Sequence, residues 1–403
     1  MCPAFAVHAE PVSVQGVVTT GIYCRPDCRA HPKPENVRPF ATAAAAEAAG
    51  FRACLRCRPY RIDHDFGAIG PDLVCRAVRR VVEGALDRGT ENDLGRELGV
   101  SARHLRRVFV EHVGTTPDHL ARSRRAHFAR RLLDDTDLPL TQVARAAGFG
   151  SVRQFHRACA DTFGFPPSEL RARRRKADRL VADGGLALRL PGPPVTGALE
   201  FLAARATPGV EVVAGGSYRR TIEIDGEPGV LELWPAEEHA VLVAHLPYWD
   251  GLIHVVERAR RIVGIGMDVP GAWDPFELAV RAIVGQQITV AGATTITGRI
   301  VARHGRSVPG LALLRLTHLF PGADVLATAD LDGVGLTAPR CDAIAALAGA
   351  VSNGSIVLDA RVALDELRTT LTAVKGIGPM TADYVAARLG IPGAGSPYEV
   401  RPS

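Results

Sequence analysis

Four cysteines near the amino terminus constrain the fold of this chain more than any other feature. They form two close pairs, Cys24 with Cys28 and Cys54 with Cys57, and 25 residues separate the pairs. Four thiolates so spaced can complete a tetrahedral Zn²⁺ shell, around which the intervening chain folds. Disulfide bonds or unrelated core cysteines are the alternatives. The spacing therefore predicts a small zinc-binding domain with Zn²⁺ as its cofactor.

Length and composition place this predicted metal site in a larger protein. The chain has 403 residues, of which 47% are hydrophobic and 23% charged, so we expect two to four domains. The sequence lacks the apolar run of about 18 residues that a membrane span requires, and it lacks a secretory signal at its start. We expect no membrane partner and a cytoplasmic location. Thiols stay reduced there, and a close cluster favours metal binding over disulfides.

The arginines are unevenly distributed along the chain. The net charge is only +5, yet arginine is concentrated in "RSRRAHFARR" at 122–131 and "RARRRKADR" at 171–179. A solvated helix face would explain either run alone. Because both runs flank helix-turn-helix-like patterns, together they favour contact with the phosphates of nucleic acid.

The sequence around the cysteines resembles a known family. The segments "TTGIYCRPDC", "ENVRPF" and "GFRACLRCRP" are similar to the metal-binding domain of the Ada family, whose members repair DNA methylphosphotriesters and also regulate transcription. The resemblance covers residues 16–59. It implies that Cys24 is both a zinc ligand and the acceptor of the methyl group, and that Cys28, Cys54 and Cys57 complete the shell.

The same resemblance implies DNA contacts close to the metal. The positions that match the family's contacts are Thr20, Arg29, His31 and Arg52. His31 stands where arginine is usual. Asp27 stands where serine is common, and its carboxylate is expected to oppose the approach of phosphate slightly.

Methyl transfer would change the charge of such a metal centre. Zn²⁺ with four thiolates carries a formal charge of −2, and methylation of one sulfur leaves −1. One unit charge about 10 Å from a phosphate contributes about 1–2 kcal/mol at an effective dielectric constant near 20. Damage would thereby raise the affinity of the protein for DNA.

Two helix-turn-helix patterns follow an amphipathic helix predicted over 72–88. The first pattern, at 94–114, has Gly99 at its turn, and the second, at 140–170, has its turn at 148–150. Ser151 is predicted to cap the last helix of the second pattern, and Pro166-Pro167 to end the unit. A generic helical bundle is the alternative.

The second helix of each pattern carries polar side chains suited to the major groove. These candidate DNA contacts are Arg103, Arg106 and Arg107, then Ser151, Arg153, Gln154 and Arg157. The segments "VARAAGFGSVRQFHRAC" and "FGFPPSELR" resemble the AraC family of DNA-binding domains over about 90 residues. This resemblance implies sequence-specific binding to double-stranded promoter DNA. It also implies that RNA polymerase is a partner.

The second half of the chain has a different pattern. After a linker predicted at 183–197 come a helix, alternating strands through about Val243, and an apolar helical pair at 270–305. The segments "FLAARATPGVE", "WDPFELAVRAIVGQQITVA" and "GIGPMTADYVA" resemble the AlkA-type 3-methyladenine DNA glycosylases of the helix-hairpin-helix superfamily, over about 186–395. The resemblance implies a hairpin at Leu371–Leu389.

Specific roles in base excision follow from this resemblance. The amides of Gly376 and Gly378 would hold phosphate, Gln287 would fill the gap left by a flipped base, and Tyr384 would stack on that base.

The chain also departs from the glycosylase pattern. The family places a catalytic aspartate about twenty residues past the hairpin, but after Asp383 the sequence has one acid, Glu399, and we expect a truncated carboxyl-terminal domain. Met380 replaces the usual tryptophan. Loss of the carboxylate is expected to slow base release by several orders of magnitude. A degenerate DNA-binding scaffold and an active glycosylase with displaced catalytic groups are the two alternatives.

Together these features predict a multi-domain, mainly α protein with α+β parts. The expected domains are a zinc and methyl-acceptor domain at 1–64, a tandem helix-turn-helix domain at 70–178, an α+β sheet subdomain at 186–263 and an all-α helix-hairpin-helix domain at 264–403. The predicted function is a response to DNA alkylation that combines stoichiometric methyl transfer, transcription activation and a base-excision module. A non-enzymatic regulator that contains zinc is the alternative.

Overall fold

The computed structural model describes residues 14–61, 70–358, 362–391 and 393–394. The chain divides into two compact units, one comprising 1–180 with 249–254 and the other 181–248 with 255–403. Within the described residues, no helix combines the length and apolarity needed to span a bilayer. Glu399, the late acid noted above, lies outside the described residues.

A small sheet opens the first unit. Its strands are β1 (Val14–Val17), β2 (Ile22–Cys24), β3 (Val37–Phe40) and β4 (Arg52–Ala53), and helix α1 (Ala43–Ala48) connects β3 to β4. The spatial order is β3-β1-β2-β4. β1 is antiparallel to β2 and β3, whereas β2 and β4 run parallel. Thr42 caps α1 by accepting a hydrogen bond from the Ala45 amide.

Eight α-helices complete the part of the first unit that the structure describes. They are α2 (Asp72–Val82), α3 (Ala85–Arg88), α4 (Glu91–Glu97), α5 (Ala102–Val113), α6 (Pro117–Asp135), α7 (Leu140–Ala146), α8 (Val152–Phe163) and α9 (Pro167–Ala172). The pairs α4–α5 and α7–α8 are the two predicted helix-turn-helix units. Gly99 and Gly148 adopt left-handed φ angles of 73° and 79° at their turns, which glycine tolerates without a Cβ clash. The long helix α6 lies between them in sequence and packs on α2, α7 and α8.

Two details of the predicted helices were wrong. The helix expected over 72–88 is two helices, because Gly84 has a φ of 96° and interrupts the chain after α2. Pro166-Pro167 was expected to end the second unit, yet Pro167 is the first residue of α9. Proline suits that position because the first amide of a helix has no intrahelical partner.

A five-stranded antiparallel sheet forms one part of the second unit. Its strands are β5 (Leu186–Pro191), β6 (Glu211–Ala214), β7 (Ser217–Ile224), β8 (Glu227–Pro235) and β9 (His239–His245), in the order β5-β9-β8-β7-β6. The predicted linker at 183–197 therefore contains a strand. β5 pairs with β9 over six residues, and this long-range pairing is not visible in local composition.

Helices form the remainder of the described second half. They are α10 (Ala198–Arg205), α11 (Leu252–Ile262), α12 (Pro275–Val284), α13 (Val290–His304), α14 (Ala323–Leu326), α15 (Ala338–Ser352), α16 (Leu364–Thr372) and α17 (Pro379–Arg388). Residues of α12, α13, α15, α16 and α17 share one apolar core. The pair α12–α13 is the helical pair predicted at 270–305. The hairpin predicted at Leu371–Leu389 is α16–α17, but it begins earlier than predicted, because α16 starts at Leu364. The predicted fold class, mainly α with α+β parts, is confirmed, and the described residues form two sheets.

Candidate metal centre and nucleic-acid interface

Parallel pairing of two short strands brings the cysteine pairs together. Ile22 pairs with Arg52 and Tyr23 with Ala53, so Cys24 at the end of β2 lies beside Cys54, which directly follows β4. A turn follows Cys24 and another follows Cys54, and each brings the chain back towards the cluster. The Cys28 amide donates to the Arg25 carbonyl at 3.1 Å and the Arg58 amide to the Cys54 carbonyl at 3.0 Å, which places Cys28 and Cys57 at the same edge.

The four sulfur atoms fit a zinc site. The Sγ atoms of Cys24, Cys28, Cys54 and Cys57 all lie within 4.8 Å of one another, and none is in a disulfide. A tetrahedral site with Zn–S bonds of about 2.3 Å requires sulfur atoms about 3.8 Å apart. Small movements therefore close the cluster around the ion, and four sulfur ligands match the preference of Zn²⁺. The predicted cofactor is confirmed by this cluster.

The thiols of Cys24, Cys54 and Cys57 shift one another's pKa values. Hydrogen bonds with Cys54 and Cys57, with burial, raise the pKa of the Cys24 thiol, whereas hydrogen bonds from Cys24 and Cys57 lower the pKa of Cys54 to about 2. These three thiols therefore ionise as a group and not independently. A bound divalent cation would displace the thiol protons and ionise the acceptor sulfur.

A cleft gives access to one sulfur pair. Its volume is about 320 Å³, and its lining includes Cys24, Cys28, Gln15 and His31. Cys24 is only 7% exposed, so this cleft is its route to solvent. Gln15 pairs directly with Cys24 across β1 and β2, and directly paired residues place their side chains on the same face.

The four predicted contacts near the metal have different surroundings. Thr20 and Arg29 are exposed, and His31 lines the cleft with a left-handed φ of 38°. Arg52 lies against the carboxyl end of α8, where a Cβ on Gly164 would come within 2.3 Å of its Nη1 atom.

Asp27 has a partner that the sequence reading missed. Arg25 donates from Nε and Nη2 to the two carboxylate oxygens of Asp27, at 2.8 and 2.5 Å. A bidentate pair of this kind balances the charge of the carboxylate. The repulsion of phosphate expected from Asp27 is therefore offset within the same turn. Two residues of opposite charge at this spacing could have signalled the pair.

The predicted groove-reading side chains lie on the exposed faces of α5 and α8. Exposed residues there include Arg103, Arg106, Arg107, Arg153, Gln154 and Arg157. Ser151 caps α8, because its side chain accepts from the Gln154 amide at 3.2 Å. Arg106 also forms an ion pair with Glu91 of α4 at 2.9 Å, so part of its charge holds the unit together.

The turn between α16 and α17 presents free backbone amides. Gly376 has a φ of 96°, whereas Gly378 has an ordinary φ of −90° and open space where a Cβ would stand. Among the described residues, neither amide donates to a backbone carbonyl. Both lie at the amino terminus of α17, where the helix dipole favours an anion.

The predicted wedge residue projects beside this hairpin. Gln287 is exposed and has a φ of 55°, an uncommon backbone conformation for a residue other than glycine, asparagine or aspartate. The sequence reading assigned no role to Gln286. Its amide nitrogen donates to the Gly376 carbonyl at 3.0 Å and to the Thr381 hydroxyl at 3.1 Å, so it fixes the wedge segment to the hairpin.

Tyr384 on α17 is half-buried and held by an arginine. Arg388 donates from Nη1 to the Tyr384 hydroxyl at 2.9 Å, and also to the carbonyls of Pro270 and Gly271. Burial acts to raise the pKa of Tyr384, but the positive charges of Arg388, Arg281 and Arg205 outweigh it and lower the pKa. Met380 is 71% exposed, and Asp383 forms an ion pair with Arg368 at 2.5 Å.

Models of known families match three segments of the chain. The family model of the metal-binding domain of Ada matches residues 8–60, a helix-turn-helix domain model matches 94–173, and the model of the AlkA N-terminal domain matches 186–311. Two Escherichia coli relatives each match part of the chain. The bifunctional transcriptional activator/DNA repair enzyme Ada is 33% identical over 41% of this chain and 45% of its own length. DNA-3-methyladenine glycosylase 2 is 30% identical over 47% of this chain and 75% of its own length.

One relative aligns with nearly the whole chain. A probable bifunctional transcriptional activator/DNA repair enzyme AlkA of Mycobacterium tuberculosis is 37% identical over 417 residues, which cover 94% of this chain and 83% of the relative. The predicted resemblances to the Ada, AraC-type and AlkA families are confirmed by these matches. This chain therefore belongs to the family of bifunctional Ada/AlkA transcriptional activators and DNA repair enzymes.

Proposed function

We propose that this protein responds to DNA alkylation and that Cys24 accepts a methyl group from a DNA methylphosphotriester. The observation that carries the proposal is the cluster of four cysteine sulfurs in which Cys24 faces a cleft. Cys28, Cys54 and Cys57 would complete the shell of Zn²⁺, and the bound ion would keep the acceptor sulfur ionised at neutral pH.

In the methyl-transfer step, one bond forms and one bond breaks. The Cys24 sulfur supplies an electron pair to the methyl carbon, so that an S–C bond forms while the C–O bond to the phosphate breaks. The oxygen keeps the electron pair of the broken bond, and the neutral triester becomes an ordinary phosphodiester anion. The thioether has no route back to thiolate, so each chain acts once.

Mass spectrometry tests the acceptor directly. After incubation with a duplex that contains a methylphosphotriester, the peptide that holds Cys24 is expected to gain the mass of one methylene unit. Cys24→Ser is expected to show no gain, and Cys341→Ala is expected to gain it normally because this cysteine lies on α15. No gain in the unaltered chain would leave a purely DNA-binding regulator in which zinc is structural.

The tandem helix-turn-helix domain supplies the transcriptional role in this proposal. The exposed polar side chains of α5 and α8 would enter the major groove of promoter DNA. Loss of one negative charge at the zinc centre would strengthen that binding after methyl transfer. The activator would then recruit RNA polymerase.

A second proposed function concerns the hairpin. The similarity to DNA-3-methyladenine glycosylase 2 supports a base-excision module. The amides of Gly376 and Gly378, which donate to no backbone carbonyl among the described residues, would hold a DNA phosphate in it. Gln287 would fill the gap in the duplex, and Tyr384 would stack on the flipped base.

Substitution of Gly378 separates binding from folding. Gly378→Ala is expected to leave the thermal midpoint unchanged, because φ is −90° and the space is open, yet its new Cβ would obstruct phosphate and weaken binding to nonspecific duplex DNA about tenfold. Titration of labelled duplex at fixed salt measures this. Gly376→Ala is the contrasting variant, because its φ of 96° makes any side chain destabilising. Unchanged affinity in Gly378→Ala would contradict the phosphate role.

Release of free 3-methyladenine from alkylated DNA tests the excision step. Loss of release in Glu399→Gln would assign the catalytic acid. Asp383→Asn is the matched control, because the Asp383 carboxylate is engaged by Arg368. If the unaltered chain releases no base, the module is a DNA-binding scaffold.

A further inference from the structure

The strand that carries Cys24 is hydrogen-bonded to a helix of the DNA-binding domain. Tyr23 precedes Cys24 in β2, and because side chains alternate along a strand it points away from the cleft. Its ring is completely buried. Its hydroxyl donates to Glu47 Oε1 at 2.7 Å and lies 3.1 Å from His127 Nε2. His127 belongs to α6, and its Nε2 is 2.7 Å from the same carboxylate oxygen.

Glu47 is the centre of this contact. Its side chain is 5% exposed and that of His127 is 11% exposed, so water reaches neither group easily. Burial acts to raise the pKa of Glu47. The charge of His127 and hydrogen bonds from His127, Tyr23 and Ser123 outweigh it and lower the pKa. The carboxylate is thus a buried anion with donors from β2 and α6, and losing any donor is costly.

Helix α6, which carries His127, connects the two helix-turn-helix units. α6 follows α5 directly in the chain and packs on α7 and α8. A displacement of the acceptor strand relative to α6 is therefore a displacement relative to both candidate groove-reading helices.

A second polar cluster attaches the zinc domain at the carboxyl end of α6, past His127. Tyr60 donates to Asp134 at 3.1 Å, Arg61 pairs with Asp135 at 2.7 Å, and Arg58 pairs with Asp178 at 2.6 Å. These contacts do not involve the acceptor strand β2. They provide a matched comparison, because Tyr23 and Tyr60 are both buried phenols that bond a carboxylate at the same interface.

We propose that Tyr23, Glu47 and His127 form a clamp that holds the methyl-acceptor strand on α6, so that the charge change at Cys24 acts on DNA bound by the helix-turn-helix domain. The inference rests on the proposed methyl transfer. Charge effects at a protein surface weaken over a Debye length of about 8–10 Å. A zinc domain that moved freely would average its effect over many distances, whereas a fixed one retains its full effect on affinity.

The test is the ratio of DNA affinities after and before methylation. The probe is a duplex selected from random-sequence DNA for binding to the full chain, and a separate methylphosphotriester duplex is the methyl donor. In Tyr23→Phe and in His127→Phe the ratio is expected to fall at least threefold below that of the unaltered chain. If Tyr23 and His127 had a merely structural role, the substitutions would weaken DNA binding of the methylated and the unmethylated protein equally, and the ratio would not change.

Zinc content and the mass gain on Cys24 show that each variant is folded and methylated. Tyr60→Phe is the control and is expected to keep the ratio, because the ion pairs of Arg58 and Arg61 remain at that end. An equal fall in Tyr60→Phe would overturn the specific role of the clamp.

The two proposals fail in different ways. No mass gain in the unaltered chain overturns the methyl transfer itself. A normal mass gain and affinity ratio in both Tyr23→Phe and His127→Phe would overturn the clamp alone, as would a methylated unaltered chain whose affinity is unchanged.

Discussion

Replacement of Cys54 by alanine is expected to abolish zinc binding and to unfold the segment around the four thiols. Structural zinc sites of this type contribute about 10–16 kcal/mol to the folding of small domains. The four strands of this segment are only two to four residues long, and its helix α1 has six residues, so its own apolar core is small. No other interaction within the segment replaces a contribution of that size.

Zinc per chain after gel filtration measures this effect, and protease cleavage within residues 14–61 reports unfolding. Cys54 is preferable to Cys24 for the test because it is a buried ligand but not the proposed acceptor. Cys341→Ala should retain one zinc and resist cleavage. If Cys54→Ala keeps a full equivalent of zinc, the four cysteines are not the ligand set.

Glu211→Gln is expected to destabilise the second unit by about 3–5 kcal/mol, because Arg220 and Arg281 would then share the single carboxylate of Glu277 and one buried positive charge would lack a counter-charge. Glu211 is 5% exposed and lies at the start of β6. It accepts hydrogen bonds from Tyr218 at 2.6 Å, Arg281 at 2.9 Å and the Thr207 amide at 2.8 Å. Arg220 links the same cluster to Glu277 on α12 at 2.6 Å.

Urea unfolding followed by tryptophan fluorescence measures the loss, because the nearby Trp273 is buried. Glu223→Gln is the matched control on the same sheet. Its pair with Arg306 spans 3.2 Å, but both side chains are about half exposed, so we expect a change of at most about 1 kcal/mol. Equal losses in the two variants would contradict the importance of burial.

The Glu211 carboxylate should also make the free energy of unfolding depend on pH. Burial acts to raise the pKa of Glu211, but Arg281 and Arg220 outweigh it and lower the pKa from 4.5 to about 2. A lowered folded-state pKa stabilises the fold above pH 4.5, and this contribution is lost as the pH falls from about 4.5 towards 2. The stability difference between Glu211→Gln and the unaltered chain should therefore shrink over that range.

Local sequence patterns predicted the features that depend on neighbouring residues. The metal site follows from two short cysteine spacings, and both helix-turn-helix units follow from a helical repeat interrupted by Gly99 or Gly148. The hairpin was likewise visible in "GIGPMTADYVA". Where a boundary was wrong, as at Gly84 and Pro167, the cause was also local: the φ angle of a single glycine, and a proline that starts a helix as readily as it ends one.

Contacts between distant residues could not be predicted in this way. Strand β5 lies in a segment that resembles a linker because its partner β9 is about fifty residues away. Arg52 is exposed, so its predicted role as a DNA contact stays a prediction, and only the tertiary structure shows that it lies beside Gly164 at the end of α8.

The sequence by itself determined the four-cysteine cluster and the two helix-turn-helix units, because short spacings and helical periodicity encode them directly, and its resemblance to known segments indicated the family. Only the tertiary structure decided which buried charges meet, as in Tyr23–Glu47–His127 and around Glu211. A glutamate or an arginine has the same appearance in a sequence whether it is solvated or buried. Its energetic role depends on partners that chain folding brings from tens of residues away.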